Sequence, residues 1–394
     1  MADFQNELVR RLEEIRGAGL YRHLRAVDSP QAARISIEGK EFINFSSNDY
    51  LGLANHPLLK EAARRAIEEY GAGSGASRLI SGSLQPHVDL EAALARLKQT
   101  EAALSFSSGY AAAIGAVCAV VSRGDVIILD KLVHASIVDA ARLSGAKLRV
   151  FRHNDVADLE KILQWASEAG DGPERSNTLV VTESVFSMDG DLAPLREMVA
   201  LKQKYGAWLM VDEAHSTGLH GAQGRGLAAE FGLEKEIEIQ MGTLGKAFGA
   251  AGGFIAGSSV LIDFLINRAR SFIFSTAPVP AASAAALAGV QLANSAEGEN
   301  RRARLWKNVE FVQAELRAVP TNRSAICPIQ IGGEKETLSA AAALRKLGLF
   351  VPAVRYPTVP RGAARLRVSV TASHSESDIA RLSQGLKECG LVQT

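Results

Sequence analysis

Short apolar runs alternate with helical patterns through most of the chain, and this alternation restricts the fold more than any other feature. The apolar runs of strand length are AALSF, DVIILD, KLRVF, TLVVTE, AWLMVDE, EIEIQM and GGFIAG. Their continuous apolar character indicates strands buried on both faces. The helical patterns between them include DVADLEKILQWASEAG and LAPLREMVALKQKYG, and a glycine ends the second. Such alternation predicts an α/β fold with a mainly parallel central sheet and helices on both faces.

The pattern changes at about Pro278, and the chain of 394 residues is longer than one compact unit usually needs. From there an alanine-rich helix leads to a long charged helix, ENRRARLWKNVEFVQAELRAV, and then to the short strands CPIQIGG and ARLRVSVTA. A closing amphipathic helix completes this part. We therefore predict an N-terminal arm over residues 1–50, a large α/β domain over residues 51–277 and a smaller C-terminal α+β domain over residues 278–394.

Composition argues against several classes of protein. The net charge is +1 and no block of lysine or arginine offsets it, so we expect no nucleic-acid partner. The first residues, MADFQNELVRRLEEIRGAGLYRHLR, mix acids with bases and lack an apolar secretory core, and no later run is long enough to span a membrane. Cys118, Cys327 and Cys389 are far apart and form no CxxC pair, which is typical of reduced thiols. We therefore predict a cytoplasmic protein without a membrane partner.

Three familiar site motifs fail when their context is checked. A phosphate-binding loop around Gly245 and Lys246 would need a glycine five places before Gly245 and a hydroxyl residue after the lysine. Those places hold Gln240 and Ala247. The glycine-rich GAGSGASR follows a helical pattern, LLKEAARRAIEEYG, whereas a dinucleotide-binding fingerprint follows a strand. No HExxH or paired Cys/His spacing predicts a metal site.

Polar residues follow several predicted strands at the point where each strand ends. A carboxylate and two imidazoles occupy such positions, namely His134, Asp212 and His215. Gly109 and Tyr110 begin a helix directly after a strand, where unsatisfied N–H groups and the helix dipole favour a phosphate. Ligands of parallel sheets bind at this carboxyl edge. With the amine of Lys246, the edge would offer what pyridoxal 5′-phosphate requires: an amine, an anion, a stacking ring and a phosphate clamp.

Lys246 stands in the segment GTLGKAFGAAGG, where most of its neighbours are small. A lone lysine is usually a solvated surface group, but the shared context favours a functional amine. Small neighbours would leave room for the long side chain to move, and glycines would permit close backbone approach.

The chain resembles the α-oxoamine synthases in a series of motifs that stand in the family's order: NFSSNDYLGL, GSGASRLISG, DKLVHASIVD, ESVFSMDGD, VDEAHSTG, GRG, GTLGKAFG and FIFSTAP. The resemblance extends to TVPRGAARLRVSVTASHSESD and so covers nearly the whole chain. It implies a fold-type I pyridoxal-phosphate-dependent transferase that is active as a homodimer with shared active sites. The implied reaction is the decarboxylative condensation of an amino acid with an acyl thioester. The motifs are most similar to those of the members that serve biotin biosynthesis, which implies a pimeloyl thioester.

The resemblance assigns cofactor contacts to individual residues. Lys246 resembles the lysine that binds the cofactor covalently, and Asp212 resembles the partner of the pyridinium nitrogen. His134 resembles the histidine that stacks on the ring and touches substrate. His215, helped by Ser187, is implied to contact the phenolic oxygen of the cofactor. The implied phosphate contacts are Gly109, Tyr110 and Thr243 of the same subunit and Thr276 of a second subunit. Alternatives are a turn or N-cap aspartate for Asp212 and a structural histidine at a helix start for His134.

The resemblance also implies contacts to the amino-acid substrate. Arg367 in RLRVSV resembles the arginine that binds the substrate carboxylate, a task suited to a planar bidentate donor. Arg365 is the alternative, because strand alternation places both arginines on one face. Asn48 is expected to assist this carboxylate contact.

For the acyl substrate, the resemblance implies contacts from Arg22 and Thr358, although each residue alone would be an ordinary surface residue. His23 and Arg25 lie close enough to Arg22 to leave its assignment open. Tyr356 stands where many family members have a second proline, so the preferred acyl chain stays open. The donor would be an acyl-CoA or an acyl carrier protein.

Ser77 in GASRLISG bears on the choice of amino acid. Relatives that use glycine, namely 5-aminolevulinate synthase and 2-amino-3-ketobutyrate coenzyme A ligase, tend to carry a bulkier branched residue there. Serine leaves space for a substrate methyl group, which predicts a preference for L-alanine over glycine worth about 1–3 kcal/mol. Serine palmitoyltransferase tolerates a small residue too and stays an alternative. Ser184 stands where many biotin-pathway members have glycine, a feature shared with some relatives, so it also leaves the preferred acyl chain open.

The alternative from another class is a protein of this fold that only binds a ligand or a partner. Such a protein is expected to lose the lysine, the aspartate or the carboxylate-binding arginine. Lys246, Asp212 and Arg367 are all present. A fold alone does not establish function, but these three residues together favour an enzyme.

Overall fold

The computed structural model describes residues 3–168, 176–316 and 323–392. The chain divides into two compact units. The large unit comprises Asn48–Ser187 and Asp191–Arg304, and the small unit comprises Met1–Ser47, Met188–Gly190 and Leu305–Thr394. Within the described residues, every helix is too short or too polar to cross a membrane.

Strands and helices alternate along the described chain. The strands are β1 (Arg34–Ile37), β2 (Lys40–Asn44), β3 (Ala102–Phe106), β4 (Val126–Asp130), β5 (Lys147–Phe151), β6 (Thr178–Glu183), β7 (Trp208–Asp212), β8 (Ile239–Thr243), β9 (Gly253–Gly257), β10 (Ile326–Gly332), β11 (Leu349–Phe350), β12 (Ala353–Val354) and β13 (Ala364–Ser369). The helices are α1 (Phe4–Gly17), α2 (Pro57–Tyr70), α3 (Gln85–Lys98), α4 (Gly109–Val120), α5 (Ala135–Ser144), α6 (Val156–Glu168), α7 (Leu195–Tyr205), α8 (Leu227–Glu230), α9 (Ser259–Arg268), α10 (Arg270–Ile273), α11 (Pro280–Ala293), α12 (Ala296–Leu316), α13 (Glu334–Lys346) and α14 (Glu376–Glu388).

The large unit is built on a seven-stranded sheet with the strand order β3-β9-β8-β7-β6-β4-β5. Strand β9 is antiparallel to both of its neighbours, and all the other neighbouring strands are parallel. Successive residues of β4 enter opposite apolar layers. Ile127 packs in a core with α4 and α5, whereas Ile128 packs in a core with α6 and α7. The predicted α/β fold, a mainly parallel sheet covered on both faces, is therefore confirmed.

One predicted strand begins later than its sequence indicates. The run EIEIQM predicts a strand from its first glutamate, but β8 starts at Ile239. The neighbouring β7 begins only at Trp208, and Ile239 pairs with Met210 of that strand. Residues Glu234–Glu236 form a 3₁₀ turn instead. Apolar alternation identifies the strand but does not fix the residue at which it begins.

The two units do not follow the sequence-based division of the chain. That division assigns residues 278–304 to the small domain, but α11 packs on α2 and α3 within the large unit. A Cβ atom at Gly289 of α11 would lie 2.2 Å from the carbonyl oxygen of Phe248. Helix α11 therefore lies directly against the turn that carries Lys246. Helical periodicity identifies α11 but carries no information about its packing partner.

The small unit contains two three-stranded sheets, β1-β2-β11 and β10-β13-β12. The N-terminal segment is part of this unit. The N–H of Ile43 donates to the carbonyl of Gly348 at 2.9 Å, and the N–H of Ser369 donates to the carbonyl of Phe45 at 2.9 Å. The residues up to Ser47 therefore belong to one α+β unit with the C-terminal segment, whereas the sequence predicts a separate arm.

Candidate active site

The candidate site of the large unit lies at the carboxyl edge of the central sheet. Strands β3, β4, β6, β7 and β8 run in the same direction, so their carboxyl ends share one edge. The predicted cofactor contacts at this edge are Gly109 and Tyr110 after β3, His134 after β4, Ser187 after β6, Asp212 and His215 at the end of β7, and Thr243 and Lys246 at the end of β8. Sheet topology alone therefore brings these residues to one place.

Within the large unit, a chain of hydrogen bonds connects Lys246 to Asn48. Lys246 Nζ lies 2.8 Å from Nε2 of His215, and Nδ1 of His215 lies 2.7 Å from the Tyr50 hydroxyl oxygen. The hydroxyl donates to Oδ1 of Asn48 at 3.2 Å. Tyr50 and His215 are only 1% and 7% exposed. Tyr50 escaped sequence-based prediction although it lies in the motif NFSSNDYLGL, because its contact joins residues 165 positions apart.

Close packing explains two of the glycines around Lys246. Gly249 has a φ of +66°, and a Cβ atom there would lie 2.5 Å from the carbonyl carbon of Leu53. A Cβ atom at Gly242 would lie 2.4 Å from the ring of Phe254. Both spaces are filled by neighbouring atoms, so these glycines permit close approach and provide no room for movement.

The N-terminus of α4 lies beside a buried hydroxyl group. The helix starts at Gly109 and is capped by Ser108, whose Oγ accepts a hydrogen bond from the Ala111 N–H at 3.1 Å. A Cβ atom at Gly109 would lie 2.7 Å from Cγ2 of Thr243. Oγ1 of Thr243 is buried, and among the described residues it has no hydrogen-bond partner. A buried hydroxyl beside a helix N-terminus fits a phosphate group, which would satisfy both.

Two buried carboxyl groups lie next to each other at the ends of β6 and β7. Burial raises the pKa of Asp212, and the charge of Lys246 acts against this rise. Burial, followed by the neighbouring Asp212, raises the pKa of Glu183 to about 8. Glu183 accepts a hydrogen bond from the N–H of Ser187 at 3.1 Å and so holds the start of the loop after β6. Glu183 is outside the predicted set, although it begins the quoted motif ESVFSMDGD.

His134 caps the N-terminus of α5. The alternative role considered for it, a structural histidine at a helix start, is therefore observed. Its Nδ1 accepts a hydrogen bond from the Ser136 N–H at 3.2 Å. Desolvation lowers the pKa of His134 and outweighs the attraction of Asp212. The imidazole is therefore neutral at neutral pH, and a neutral aromatic ring is suited to stacking on a ligand ring.

His153 joins two carboxylates behind the site. Its Nδ1 lies 2.9 Å from Asp130 and its Nε2 lies 2.7 Å from Asp191, which lies on the loop between β6 and α7. Burial alone would lower the pKa of His153, but the hydrogen bonds to the two carboxylates outweigh it and raise this pKa to about 10. A charged imidazole therefore fastens the end of β4 to the loop that carries Ser187.

This imidazolium predicts a pH-dependent contribution to stability. Folding raises the pKa of His153 from 6.5 to about 10, so the contribution is complete below pH 6.5 and is lost as the pH rises towards 10. We expect His153→Gln to lower the free energy of unfolding by about 3 kcal/mol near pH 6, with a difference that shrinks steadily towards pH 10. Urea unfolding across this range is the measurement, with His23→Gln as the control. A difference that is independent of pH would contradict the assignment.

A buried ion pair supports the turn that carries Asp212 and His215. The side chains of Lys98 and Glu213 are 1% and 0% exposed and form a salt bridge. Glu213 also accepts hydrogen bonds from the Ala228 N–H at 2.9 Å and from the hydroxyl of Ser216 at 3.1 Å. Its role is structural, and neither partner belongs to the predicted site set.

The quoted motif GRG is explained by the same carboxylate. A Cβ atom at Gly226 would lie 2.5 Å from an oxygen of Glu213, and the φ of Gly226 is +120°. Lys98 also donates to the carbonyl of Arg225. The motif therefore packs its backbone against the buried ion pair.

In the small unit, Arg365 and Arg367 are both 5% exposed on β13. Arg365 forms an ion pair with Asp189 and donates to the carbonyl of Met188 at 3.3 Å. Arg367 donates to the hydroxyl of Ser369 at 2.7 Å. The two arginines share a face, as strand alternation predicts, but their surroundings differ.

Arg22 and Thr358 line a cavity of about 680 Å³ in the small unit. The same cavity is lined by Arg25, Arg345 and Arg355, and no described residue of its lining is acidic. Apolar side chains complete the wall, so the cavity combines positive charge with an apolar surface.

Ser77 and Thr276 face each other in the large unit as a short antiparallel bridge. The Ala277 N–H donates to the Ala76 carbonyl at 3.0 Å, and the N–H of Gly82 donates to the Ser77 carbonyl at 3.0 Å within a π-helical turn. Ser77 is thus half-buried on a fixed backbone, whereas Thr276 is exposed.

The chain matches the aminotransferase class I and II family over residues 40–386. It belongs to this family. Curated relatives named 8-amino-7-oxononanoate synthase include that of Geobacter metallireducens, which is 48% identical over 94% of this chain and 94% of its own length. The relative in Geobacter sulfurreducens is 47% identical over 97% of this chain and 98% of its own length.

Solved structures of the family are similar to this chain over most of its length. A serine palmitoyltransferase variant from S. paucimobilis with bound PLP and myriocin has a TM-score of 0.90 and 31% identity, and the match covers 98% of both chains. An 8-amino-7-oxononanoate synthase from Francisella tularensis has a TM-score of 0.73 and 30% identity, with 88% of this chain and 98% of that chain covered. These matches confirm the predicted α-oxoamine synthase family, the fold-type I transferase fold and pyridoxal phosphate as the cofactor.

Proposed function

We propose that this chain is a cytoplasmic, homodimeric acyltransferase that condenses L-alanine with a pimeloyl thioester. The products are 8-amino-7-oxononanoate, carbon dioxide and the free thiol carrier, as biotin biosynthesis requires. The observation that carries the proposal is the pairing of Lys246 with His215 beside the buried Asp212, at the carboxyl edge of the sheet of a chain whose full-length relatives are synthases of this product.

Pyridoxal 5′-phosphate supplies, when bound, an aldehyde for the amine of Lys246 and an electron-poor ring that stabilises negative charge on the substrate Cα. The buried hydroxyl of Thr243 and the N–H groups of Gly109 and Tyr110 would hold its phosphate. Asp212 would hold the ring nitrogen. The other proposed contacts are His134 to the ring face and His215 and Ser187 to the phenolic oxygen.

In this proposal the amine of Lys246 transfers the proton of the substrate Cα. Its Nζ accepts the proton from the substrate Cα and later returns one to the product. Before the cofactor binds, Nε2 of His215 lies 2.8 Å from this amine and holds it at the carboxyl edge. Glu183 keeps Ser187 in place through the backbone N–H.

Arg367 would bind the carboxylate of the amino acid, with Asn48 assisting. The alternative, Arg365, forms an ion pair with Asp189 and so has a structural role of its own within the small unit. The cationic cavity around Arg22 and Thr358 suits an anionic acyl donor, either acyl-CoA or an acyl carrier protein. The exposure of Thr276 is consistent with a phosphate contact to a second subunit.

The product formed from defined substrates tests the function. Purified protein with pyridoxal phosphate is incubated with pimeloyl-CoA and either L-alanine, glycine or L-serine, and the products are identified by mass spectrometry. We expect 8-amino-7-oxononanoate from alanine, with kcat/KM at least about tenfold above that for glycine. Ser77→Thr should reduce this ratio, whereas Ser81→Thr at an exposed position should not. Faster turnover of glycine, or of L-serine with palmitoyl-CoA, would assign the chain to another branch of the family.

A further inference from the structure

The direction of the hydrogen bonds around His215 follows from Asn48, which contacts the Tyr50 hydroxyl at the far end of the chain of hydrogen bonds. Oδ1 of Asn48 can only accept, so the Tyr50 hydroxyl must donate its proton to that oxygen at 3.2 Å. The hydroxyl oxygen then accepts from Nδ1–H of His215 at 2.7 Å. Nε2 of His215 is left with a lone pair that accepts from Lys246 Nζ at 2.8 Å. The reverse direction would leave the Asn48 contact without a proton.

We propose that Tyr50 is a positioning residue that fixes His215 as the Nδ1-protonated tautomer in the cofactor-free protein and so directs the Nε2 lone pair at the Lys246 amine. Both side chains are buried, at 1% and 7% exposure. Water therefore cannot take the place of the Tyr50 hydroxyl at Nδ1 of His215. The hydrogen bond at Nδ1 decides which ring nitrogen carries the proton, and so sets the state of Nε2.

A hydroxyl is suited to this place because it can reverse its role. When the group at Nε2 is an acceptor, the Tyr50 hydroxyl can donate to Nδ1, and the ring then carries its proton on Nε2. The contact of His215 with an acceptor oxygen is part of the proposed function, so this second state rests on that proposal. The first state rests only on the contacts of the protein itself. A phenylalanine at position 50 could support neither state.

The tautomer can be read directly from ¹⁵N chemical shifts of the histidine ring. The cofactor-free protein is labelled with ¹⁵N-histidine, and the His215 signals are assigned by comparison with His215→Gln. We expect the shift pair of an Nδ1–H tautomer in the unsubstituted protein and a mixture of tautomers in Tyr50→Phe. Tyr205→Phe removes a hydroxyl that bonds Glu160 outside the site and should leave the His215 signals unchanged.

A second measurement uses the cofactor as a probe. We expect Tyr50→Phe to raise the Kd of pyridoxal phosphate about tenfold, which corresponds to the loss of one buried hydrogen bond. Tyr205→Phe should bind the cofactor like the unsubstituted protein. Addition of the cofactor to the unsubstituted protein should move the His215 proton to Nε2.

An Nε2–H tautomer in the unsubstituted cofactor-free protein would overturn the proposal without any variant. Unchanged His215 signals and an unchanged Kd in Tyr50→Phe would overturn it as well. If the tautomer is as expected but no keto amine forms from alanine and pimeloyl-CoA, the proposed function fails and the positioning role of Tyr50 stands.

Discussion

Replacing Lys246 with alanine is expected to lower kcat for alanine and pimeloyl-CoA by at least ~10⁴-fold, because the reacting amine and the proton carrier are lost together. The amine lies 2.8 Å from Nε2 of His215, and no other lysine follows β8 at the carboxyl edge in the described residues. Steady-state kinetics with the keto amine product as readout measure the effect. Lys131→Ala, at an exposed position after β4, is the matched control and should keep near-normal turnover.

The same pair of variants permits a chemical test. Borohydride treatment of the yellow protein should bleach it and attach the cofactor to the peptide that contains Lys246. Lys131→Ala should be labelled at the same peptide, and Lys246→Ala should not be labelled. Turnover that survives Lys246→Ala, or a label on another lysine, would refute the assignment of the reacting amine.

Replacing Lys98 with methionine is expected to lower the free energy of unfolding by about 3–5 kcal/mol, because it leaves the carboxylate of Glu213 buried without its counter-ion. Both side chains of this pair are at most 1% exposed. Urea unfolding at pH 7 measures the loss. Lys204→Met is the control, because the side chain of Lys204 is 60% exposed in its pair with Glu160 and its loss should leave the free energy of unfolding nearly unchanged.

A double variant separates the charge from the packing. Lys98→Met combined with Glu213→Gln removes both charges, and the amide can still accept from the Ala228 N–H. We expect this double variant to be more stable than Lys98→Met alone. A double variant that is less stable by the sum of both single losses would show that the pair is not coupled through charge.

The position of the candidate site can be predicted from the sequence because the relevant information is local to each strand end. A buried apolar run followed at once by Asp212 or His134 states both the strand and the residue after it. Parallel strands share their carboxyl edge, so topology does the rest. The assignment of the family followed from the order of the motifs, which needs no contacts.

What the sequence could not supply are contacts between distant segments. Tyr50 meets His215 across 165 positions, and Lys98 meets Glu213 across 115 positions. Neither pair has a spacing or composition that marks it, since each residue is common in its own segment. The same holds for α11, whose periodicity is helical but whose partners α2 and α3 are fixed only by three-dimensional packing.

The close fit of Gly226 against Glu213 limits which substitutions these positions can accept. A Cβ atom at position 226 would lie 2.5 Å from an oxygen of Glu213, and the buried salt bridge with Lys98 holds that carboxylate in place. The residues at these three positions are thereby tied to one another. A side chain at position 226 would therefore be tolerated only together with changes at positions 98 and 213 that vacate the space of the carboxylate.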